Sequence, residues 1–504
     1  MLSERYALAT VVGLLLSILS FLLMSKSQQK VLYDRLSSWT SLTSPHPPTL
    51  SSKTPPPSIP PNKKSPVNAP PPVDYKDVFP PWRRQSLTIA RKDKCLEAVS
   101  EIPEFLVRER LIPFTADYRT CKAPATTYTP MGISLSEVAS LADFTDYAEL
   151  SGVPLPEPYR DFKIELALPR PYRPLRWGYH QTMSLNRLQT DWWLELERTY
   201  AEKIKERKEL FDKNGTMVLD YLPGSELGCK EVMEMALQFL CARYPQYFSL
   251  SKSEDKGYIF HNGILHNQTI IGDMHPLHVL LENVPEDFAV MIRNPDDGFY
   301  YFRAGLLCSS LGWSVKSKLG MQLKEIHSPI PDYKEKMEFS MDRYFSKLPT
   351  ASPIQRGSWG LEIDTPLFMP PGDPHEKYRE VQLPETELPL SRIHLRVDWQ
   401  TLRRLPLSGA IIFNFKALFT PVEDFRHEPY IPALLLTVLQ HGKPNIMAYK
   451  NTWHVEHVVL PALQAWKQEQ EDKGMVPRGW EVGTLAEAPF FPGWEESWRG
   501  KQGF

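Results

Sequence analysis

Polar side chains alternate with aliphatic ones along residues 391–409, SRIHLRVDWQTLRRLPLSG. Because successive side chains of a β-strand point to opposite faces, this pattern predicts an apolar row against a core and a polar row opposite it. The polar row consists of His394, Arg396 and Asp398, and Gln400 continues it if the strand persists. A row of titratable side chains makes this face a candidate for acid–base chemistry. The alternative is a solvated face with an Arg–Asp pair.

A second candidate lies in residues 300–337, where a strand, a turn and a short helix lead to His327. Pro329 and Pro331 follow it and restrict the backbone, which would hold the imidazole in one orientation. Cys308 ends the strand of the same segment. A lone histidine is more often structural than functional, and a cysteine at a strand end is more often a small buried apolar residue. Both alternatives stay open on the pattern alone.

Charge and cysteine usage exclude several classes of function. The chain has 58 Lys and Arg against 60 Asp and Glu, a formal net charge of -2, which gives no electrostatic case for a nucleic-acid partner. Five scattered cysteines without CxxC pairs form neither a secreted disulfide framework nor a thiolate zinc or plant-type iron–sulfur site. We therefore expect a reducing compartment. The sequence also has no P-loop, no GxSxG nucleophile elbow and no GxGxxG after a strand.

The elements that must position these residues indicate an α+β fold with an antiparallel sheet. Apolar runs at 288–292 and 300–307 flank the turn signal NPDDG and predict a β-hairpin. Further strands are predicted at 393–397 and 410–415. Apolar residues at helical spacing predict helices over 190–212, 229–243, 334–347, about 431–440 and about 452–471. Hairpins with helices grouped around them are typical of this fold class.

An apolar run at residues 6–25 predicts one transmembrane anchor helix. About 20 residues at ~1.5 Å rise cross a ~30 Å hydrocarbon core. The alternative is a cleaved signal peptide, but no A-x-A-like cleavage site follows the run. Lys26, Lys30 and Arg35 follow the span, and the positive-inside rule then places the rest of the chain in the cytosol. We expect a single-pass protein of the endoplasmic reticulum membrane.

Residues 37–81 are rich in proline, serine and threonine, and we expect them to form a disordered linker that favours extended polyproline II. Such a segment acts as a semi-rigid spacer between the anchor and the residues from Trp82 onward.

Four stretches resemble, in order, the HRQ family of fungal and bacterial proteins, whose domain is named after the α subunit of haem-dependent oxidative N-demethylase. The stretches are 284–291 (VPEDFAVM), 300–337, 353–364 (PIQRGSWGLEID) and 396–413 (RVDWQTLRRLPLSGAIIF). The resemblance implies a domain over 183–472, with an N-terminal extension at 82–182 and a C-terminal tail at 473–504. It also implies a PAS-like fold that binds haem b and oxidises a secondary amine with O2.

The resemblance assigns site residues by position. The name-giving residues of the family fall on His394, Arg396 and Gln400, and Lys318 falls on another recurrent position; these four are the expected catalytic residues. The expected cofactor-binding residues are His327, Arg356 and Trp359. We expect His327 to be the axial ligand of the iron, with Cys308 as the alternative, since imidazole and thiolate are plausible protein donors to haem iron. Ser184 and Asp398 depart from the family pattern, which has glycine and glutamate there.

The resemblance also implies partners. In the bacterial enzyme electrons come from separate flavin and iron–sulfur subunits, and because this chain carries no such motif, we expect a separate reductase as electron donor. The substrate is expected to be a small-molecule amine. Two alternatives remain: a PAS-like protein that senses or binds haem or another small ligand, and a catalytically inactive scaffold tethered to the membrane.

Overall fold

The computed structural model of the protein describes residues 108–122, 124, 127–178 and 184–504. The anchor helix and linker predicted at 6–25 and 37–81 lie outside the described residues. Among those that are described, no helix is both long enough and apolar enough to cross a membrane.

An antiparallel sheet of seven strands organises the described residues. In chain order its strands are β1 (Asn186–Arg187), β2 (Leu219–Tyr221), β6 (Asp287–Arg293), β7 (Tyr300–Leu306), β8 (Ile354–Ile363), β9 (Ile393–Arg404) and β10 (Ile411–Pro421). They lie side by side in the order β1-β8-β9-β10-β6-β7-β2. A second sheet of three antiparallel strands contains β3 (Phe248–Ser253), β4 (Gly257–Asn262) and β5 (Asn267–Ile270). The α+β class with a large antiparallel sheet is confirmed.

Thirteen α-helices in the described ranges surround these sheets. They are α1 (Leu135–Ser140), α2 (Tyr147–Ser151), α3 (Tyr200–Asn214), α4 (Glu226–Arg243), α5 (Pro276–Asn283), α6 (Val315–Lys318), α7 (Leu323–Ile326), α8 (Tyr333–Lys336), α9 (Glu338–Lys347), α10 (Ile431–His441), α11 (Pro444–Lys450), α12 (Trp453–Asp472) and α13 (Trp494–Gln502). The helices predicted at 229–243, 431–440 and 452–471 therefore form almost as expected.

The helix predicted over 190–212 is wrong in its first half. Residues 190–192 form a 3-10 turn, and the α-helix begins only at Tyr200. Trp193, Leu194 and Leu196 are all nearly inaccessible to solvent. Neighbouring residues buried together do not suit a helix with one apolar face, so this stretch runs through the core instead. The helix ends at Asn214, as the Asn-Gly pair predicts, with Gly215 at a φ of 52°.

The predicted helix over 334–347 is likewise interrupted. Met337 separates α8 from α9, and its side chain is buried. The predicted hairpin, by contrast, is confirmed, because β6 and β7 pair directly on either side of the NPDDG turn.

The two faces of the large sheet pack against different cores. One face carries Ile393, Leu395 and Val397 into the main core, which also contains apolar residues of α4 and α10. The opposite face carries Leu402 and Ile411 into a smaller core with residues of α6 to α9. The sheet is thus covered on both sides, and α6 to α9 cover the face that bears the predicted polar row.

The N-terminal extension and the C-terminal tail pack against each other. The backbone N–H of Leu168 donates to the side-chain oxygen of Gln502 at 2.9 Å, and the indole N–H of Trp498 donates to the carbonyl oxygen of Leu168 at 2.8 Å. The domain boundaries at residues 182 and 472 stay predictions.

Candidate functional site

The β8–β9 ladder fixes which side chains share a face. Arg356 lies directly opposite Gln400, and Ser358 lies opposite Asp398. Directly opposed residues in an antiparallel ladder point to the same side of the sheet. The predicted polar row on β9 therefore forms, and β8 adds an arginine that is adjacent to Gln400.

Arg396 is buried in this row, and its donors bind protein atoms. Its guanidinium donates to the carbonyl oxygens of Pro366 at 2.8 Å and Leu367 at 3.3 Å, to that of Ser309, and to the carboxylate of Asp398 at 2.9 Å. It therefore holds two loops onto β9. The catalytic role expected for Arg396 stays a prediction.

His394 lies at the far end of β9. Its Nδ1 is 3.2 Å from the carbonyl oxygen of Arg392, and it is opposite Glu362, whose carboxylate is paired with Arg379. Six residues separate it from Gln400, about 20 Å at ~3.3 Å per residue. The structure therefore places the three name-giving residues on one face but does not bring them to one point.

His327 follows α7 and has a defined tautomer. Its Nδ1 lies 2.7 Å from the carbonyl oxygen of Leu323, and its ring stacks on that of Tyr333 with centroids 5.3 Å apart. Because a carbonyl oxygen can only accept, Nδ1 carries the proton and Nε2 keeps its lone pair. Burial of the ring lowers the pKa of His327 to about 4, and the positive charges of Arg356 and Lys318 add to this shift. The imidazole is therefore neutral near pH 7.

Lys318 lies on the same side of the sheet as His327. Its Nζ is 3.5 Å from the carbonyl oxygen of Ile326 and 4.1 Å from the centroid of the Trp313 ring. Burial lowers the pKa of Lys318 to about 8. The structure thus brings together His327 and Arg356, predicted to bind the cofactor, and Lys318, predicted to be catalytic.

Cys308 lies elsewhere. Its side chain is completely inaccessible and belongs to the main core, with the sulfur 4.0 Å from the carbonyl oxygen of Arg207. Burial raises the pKa of its thiol to about 12. A thiol held protonated in an apolar core is a poor metal ligand, so the geometry favours His327 of the two candidates.

A cavity of about 540 Å³ opens at the edge of β8. Pockets for small ligands typically enclose about 300–1,000 Å³. Its walls come from the segment before residue 179, from β8, and from α10 and α11. The lining residues are Pro174, Arg176, Trp177, Gly178, Ser184, Arg356, Gly357, Ser358, Trp359, Val438, His441, Gly442, Lys443, Ile446, Met447 and Lys450.

Trp359 lines this cavity but is separated from His327 by the sheet. It is opposite Val397, a residue of the main core, so its side chain points to the other face of β8 from that of Arg356. Lys450 covers it, with Nζ 4.1 Å from the ring centroid and donating to the Trp359 carbonyl oxygen at 2.7 Å.

Sequence reasoning missed Arg176, Lys443 and Lys450. Arg176 lies in a proline-rich stretch without periodicity, and no pattern links it to α11. Lys450 lies in the domain 183–472 that the resemblance implies, but outside the four stretches that carry the resemblance.

One comparison with known proteins decides the family. The family model described as haem-dependent oxidative N-demethylase, alpha subunit-like, matches residues 184–460, more than half of the chain. The chain belongs to this family. The name of the haem-dependent oxidative N-demethylase alpha subunit-like family implies haem dependence, and the matched range contains every predicted site residue.

The described residues fit a haem. No group of three or more His, Cys, Asp or Glu side chains in the described ranges is placed to hold a metal ion. A haem iron, however, requires as little as one axial donor from the protein, and metal-binding histidines usually donate their second ring N–H to a carbonyl or carboxylate. His327 has this arrangement. On the same sheet face, Phe413 and Phe415 of β10 stack on each other and are only partly buried, which leaves apolar surface for a flat ring.

Proposed function

We propose that this protein is a haem-dependent oxidoreductase that uses O2 and external electrons to oxidise an amine or a similar small molecule. The observation that carries the proposal is the neutral, oriented imidazole of His327 beside Arg356 and Lys318, within the range matched by the family model. Fold and family name alone would support only haem dependence.

In this proposal the haem is haem b. His327 would bind the haem iron through Nε2, and Arg356 would pair with a haem carboxylate through charge-assisted hydrogen bonds. Trp359, on the other face of β8, would support the strand that carries Arg356. When bound, the haem would supply the oxidising chemistry with O2.

The remaining side chains would bind and orient the substrate. Lys318 is half-deprotonated near pH 8, so that it can donate or accept a proton at Nζ close to His327. Gln400, opposite Arg356, offers an amide that both donates and accepts. Arg396 fixes the loop after Cys308, and His394 borders the far end of the row. Lys318 and Gln400 are therefore the proposed catalytic residues, and Arg396 and His394 would position the strand that carries Gln400.

The electrons would come from a separate reductase, since the sequence carries no flavin-type or iron–sulfur motif. We further propose that the segment 6–25 anchors the chain in the endoplasmic reticulum membrane and that the residues after it face the cytosol, where a soluble reductase has access. The charges that follow the apolar run support this orientation.

The orientation is tested at the sequon Asn267-Gln-Thr269. Asn267 is exposed on β5. The chain has a second sequon, Asn214-Gly-Thr216, but Asn214 is partly buried and donates its side-chain N–H to the carbonyl oxygen of Leu210 at 2.8 Å. We expect no mobility shift on glycosidase treatment and full digestion by protease added outside intact microsomes. A shift that disappears in Asn267→Gln would place the chain in the lumen.

The activity is tested by incubating the full-length chain with O2, a chemical reductant and a set of secondary N-methyl amines. We expect formaldehyde and the demethylated amine in equal amounts, and neither product from Lys318→Met. A chain that binds haem without turnover of any amine would be a sensor, and a folded chain that binds no haem would be a scaffold.

A further inference from the structure

Among the described residues, those that line the cavity at the edge of β8 include four cations and no Asp or Glu. Arg176, Arg356, Lys443 and Lys450 all line it, and none of its described lining residues is Asp or Glu. Such a concentration of one sign of charge attracts anions and repels cationic amines. The proposed haem chemistry uses only Arg356 of this set, so the rest of the cavity has no assigned role.

Lys450 stands out among these cations because its side chain is partly buried without an acidic partner. It forms no ion pair with any carboxylate of the described residues, and its Nζ donates to the carbonyl oxygen of Trp359. The acid that affects its charge, Asp398, is already paired with Arg396 at 2.8 Å. A lysine in this setting costs free energy when it is charged.

The same setting activates a lysine as a nucleophile. Desolvation and a neighbouring cation both favour the neutral amine, and the pKa of Lys450 is lowered to about 7, mainly by burial and further by Arg356. At neutral pH the neutral amine of Lys450, which carries a lone pair, is therefore far more populated than that of an exposed lysine. The Trp359 ring, 4.1 Å away, and the side chain of Met447 complete an apolar wall beside it.

We propose that this cavity binds a small anionic carbonyl compound, such as an aldehyde or ketone that carries a carboxylate, and that Lys450 forms a Schiff base with it. Arg176 and Lys443 bind the carboxylate, and the carbonyl carbon lies next to Nζ. Of the residues used here, only Arg356 and Trp359 also belong to the proposed haem site, so the Schiff base can form whether or not the protein oxidises amines.

Formation of the Schiff base requires no oxidant. The Nζ lone pair attacks the carbonyl carbon, and the carbonyl oxygen takes up the two amine protons and leaves as water. A C=N bond then replaces the C=O bond. Cyanoborohydride adds a hydride to the imine carbon and makes the link permanent, so that the modified lysine can be identified by mass spectrometry.

The test uses the full-length chain, glyoxylate as the probe and cyanoborohydride as the trap at pH 7. We expect Lys450 to be modified about tenfold faster, or more, than the exposed Lys334, because an ordinary lysine with a pKa of ~10.4 is almost fully protonated there. Propanal, which lacks the carboxylate, probes the lysine alone. In Arg176→Gln/Lys443→Gln the glyoxylate rate at Lys450 should fall several-fold while the propanal rate changes little.

Two results would overturn the proposal. If Lys334, Lys443 and Lys450 are modified at rates that follow only the solvent exposure of their side chains, Lys450 is not activated. A glyoxylate rate that is unchanged in the double variant would show that the cavity does not recognise the carboxylate. Thermal unfolding of each variant, compared with that of the unmodified chain, separates both results from misfolding.

Discussion

The Nδ1 of His327 lies 2.7 Å from the carbonyl oxygen of Leu323, four residues earlier in the chain. This hydrogen bond fixes the proton on Nδ1 and leaves the lone pair on Nε2. If the only role of His327 were to end α7, its hydrogen bond from Nδ1 would be sufficient. The adjacent charges of Arg356 and Lys318 support our proposal that the ring belongs to a functional site.

His327→Ala should therefore lose haem or shift its Soret band, because the axial nitrogen is removed. Cys308→Ala is the matched control, since its thiol lies in the main core; we expect an intact spectrum and a loss of about 1 kcal/mol of stability for the small cavity. Absorption spectra of both variants at equal protein concentration check this. A spectrum lost in Cys308→Ala and kept in His327→Ala would transfer the ligand to Cys308.

The motif VPEDFAVM contains a buried ion pair at Asp287. Its carboxylate accepts from Arg207, from the backbone N–H of Cys308 at 2.9 Å and from the backbone N–H of Ser309 at 2.8 Å. Asp287→Asn leaves the Arg207 charge buried and unpaired, so we expect a loss of about 3–5 kcal/mol in the free energy of unfolding.

The control for this variant is Asp296→Asn, whose ion pair with Arg108 is exposed on both sides. Exposed pairs contribute about 0–1 kcal/mol. Denaturant unfolding of both variants gives the comparison. Equal losses would mean that Asp287 does not anchor the turn after β7.

Gly357 on β8 lets the segment around Pro174 approach the strand closely. A Cβ there would lie 2.7 Å from the Tyr172 ring and 2.9 Å from Pro174. Gly357→Ala should therefore displace one cavity wall, costing about 1–3 kcal/mol of stability and slowing the glyoxylate reaction. Gly360→Ala on the same strand is the control, because its Cβ would meet only the Glu362 carboxylate at 3.7 Å. Similar melting temperatures for the two variants would contradict the expectation that a Cβ at residue 357 displaces the segment around Pro174.

Lys450 should make stability depend on pH. Its pKa is about 7 in the folded chain, lowered mainly by burial, against ~10.4 when unfolded. Between these values the unfolded state binds more protons, so the stability of the unmodified chain rises with pH. Lys450→Met lacks this titration, and its melting temperature relative to the unmodified chain should fall as pH rises from 7 to 10. Lys334→Met serves as the exposed reference. A constant difference for Lys450→Met would mean that its amine is not desolvated.

Local patterns were enough to predict some of the elements. The alternation around Val397 and the two apolar runs that flank NPDDG predicted strands, and all three strands formed. The helix predicted from residue 190 failed because Trp193, Leu194 and Leu196 are buried by tertiary packing that no local period records.

The site was predictable only in part, because its residues meet through pairing between distant strands. Arg356 is adjacent to Gln400 because of the β8–β9 register. A slip of one residue would place the two side chains on opposite faces of the sheet. Lys450 faces Trp359 because of the turn between α10 and α11, where Gly442 packs against Met447. Residue type suggested His327, but only its contact with Leu323 defines the tautomer.

The absorption spectrum of the purified full-length chain tests the central claim most directly. We expect an intense Soret band that survives gel filtration, with haem close to one per chain. A folded chain that is colourless and takes up no added haemin would contradict the proposed haem-dependent function.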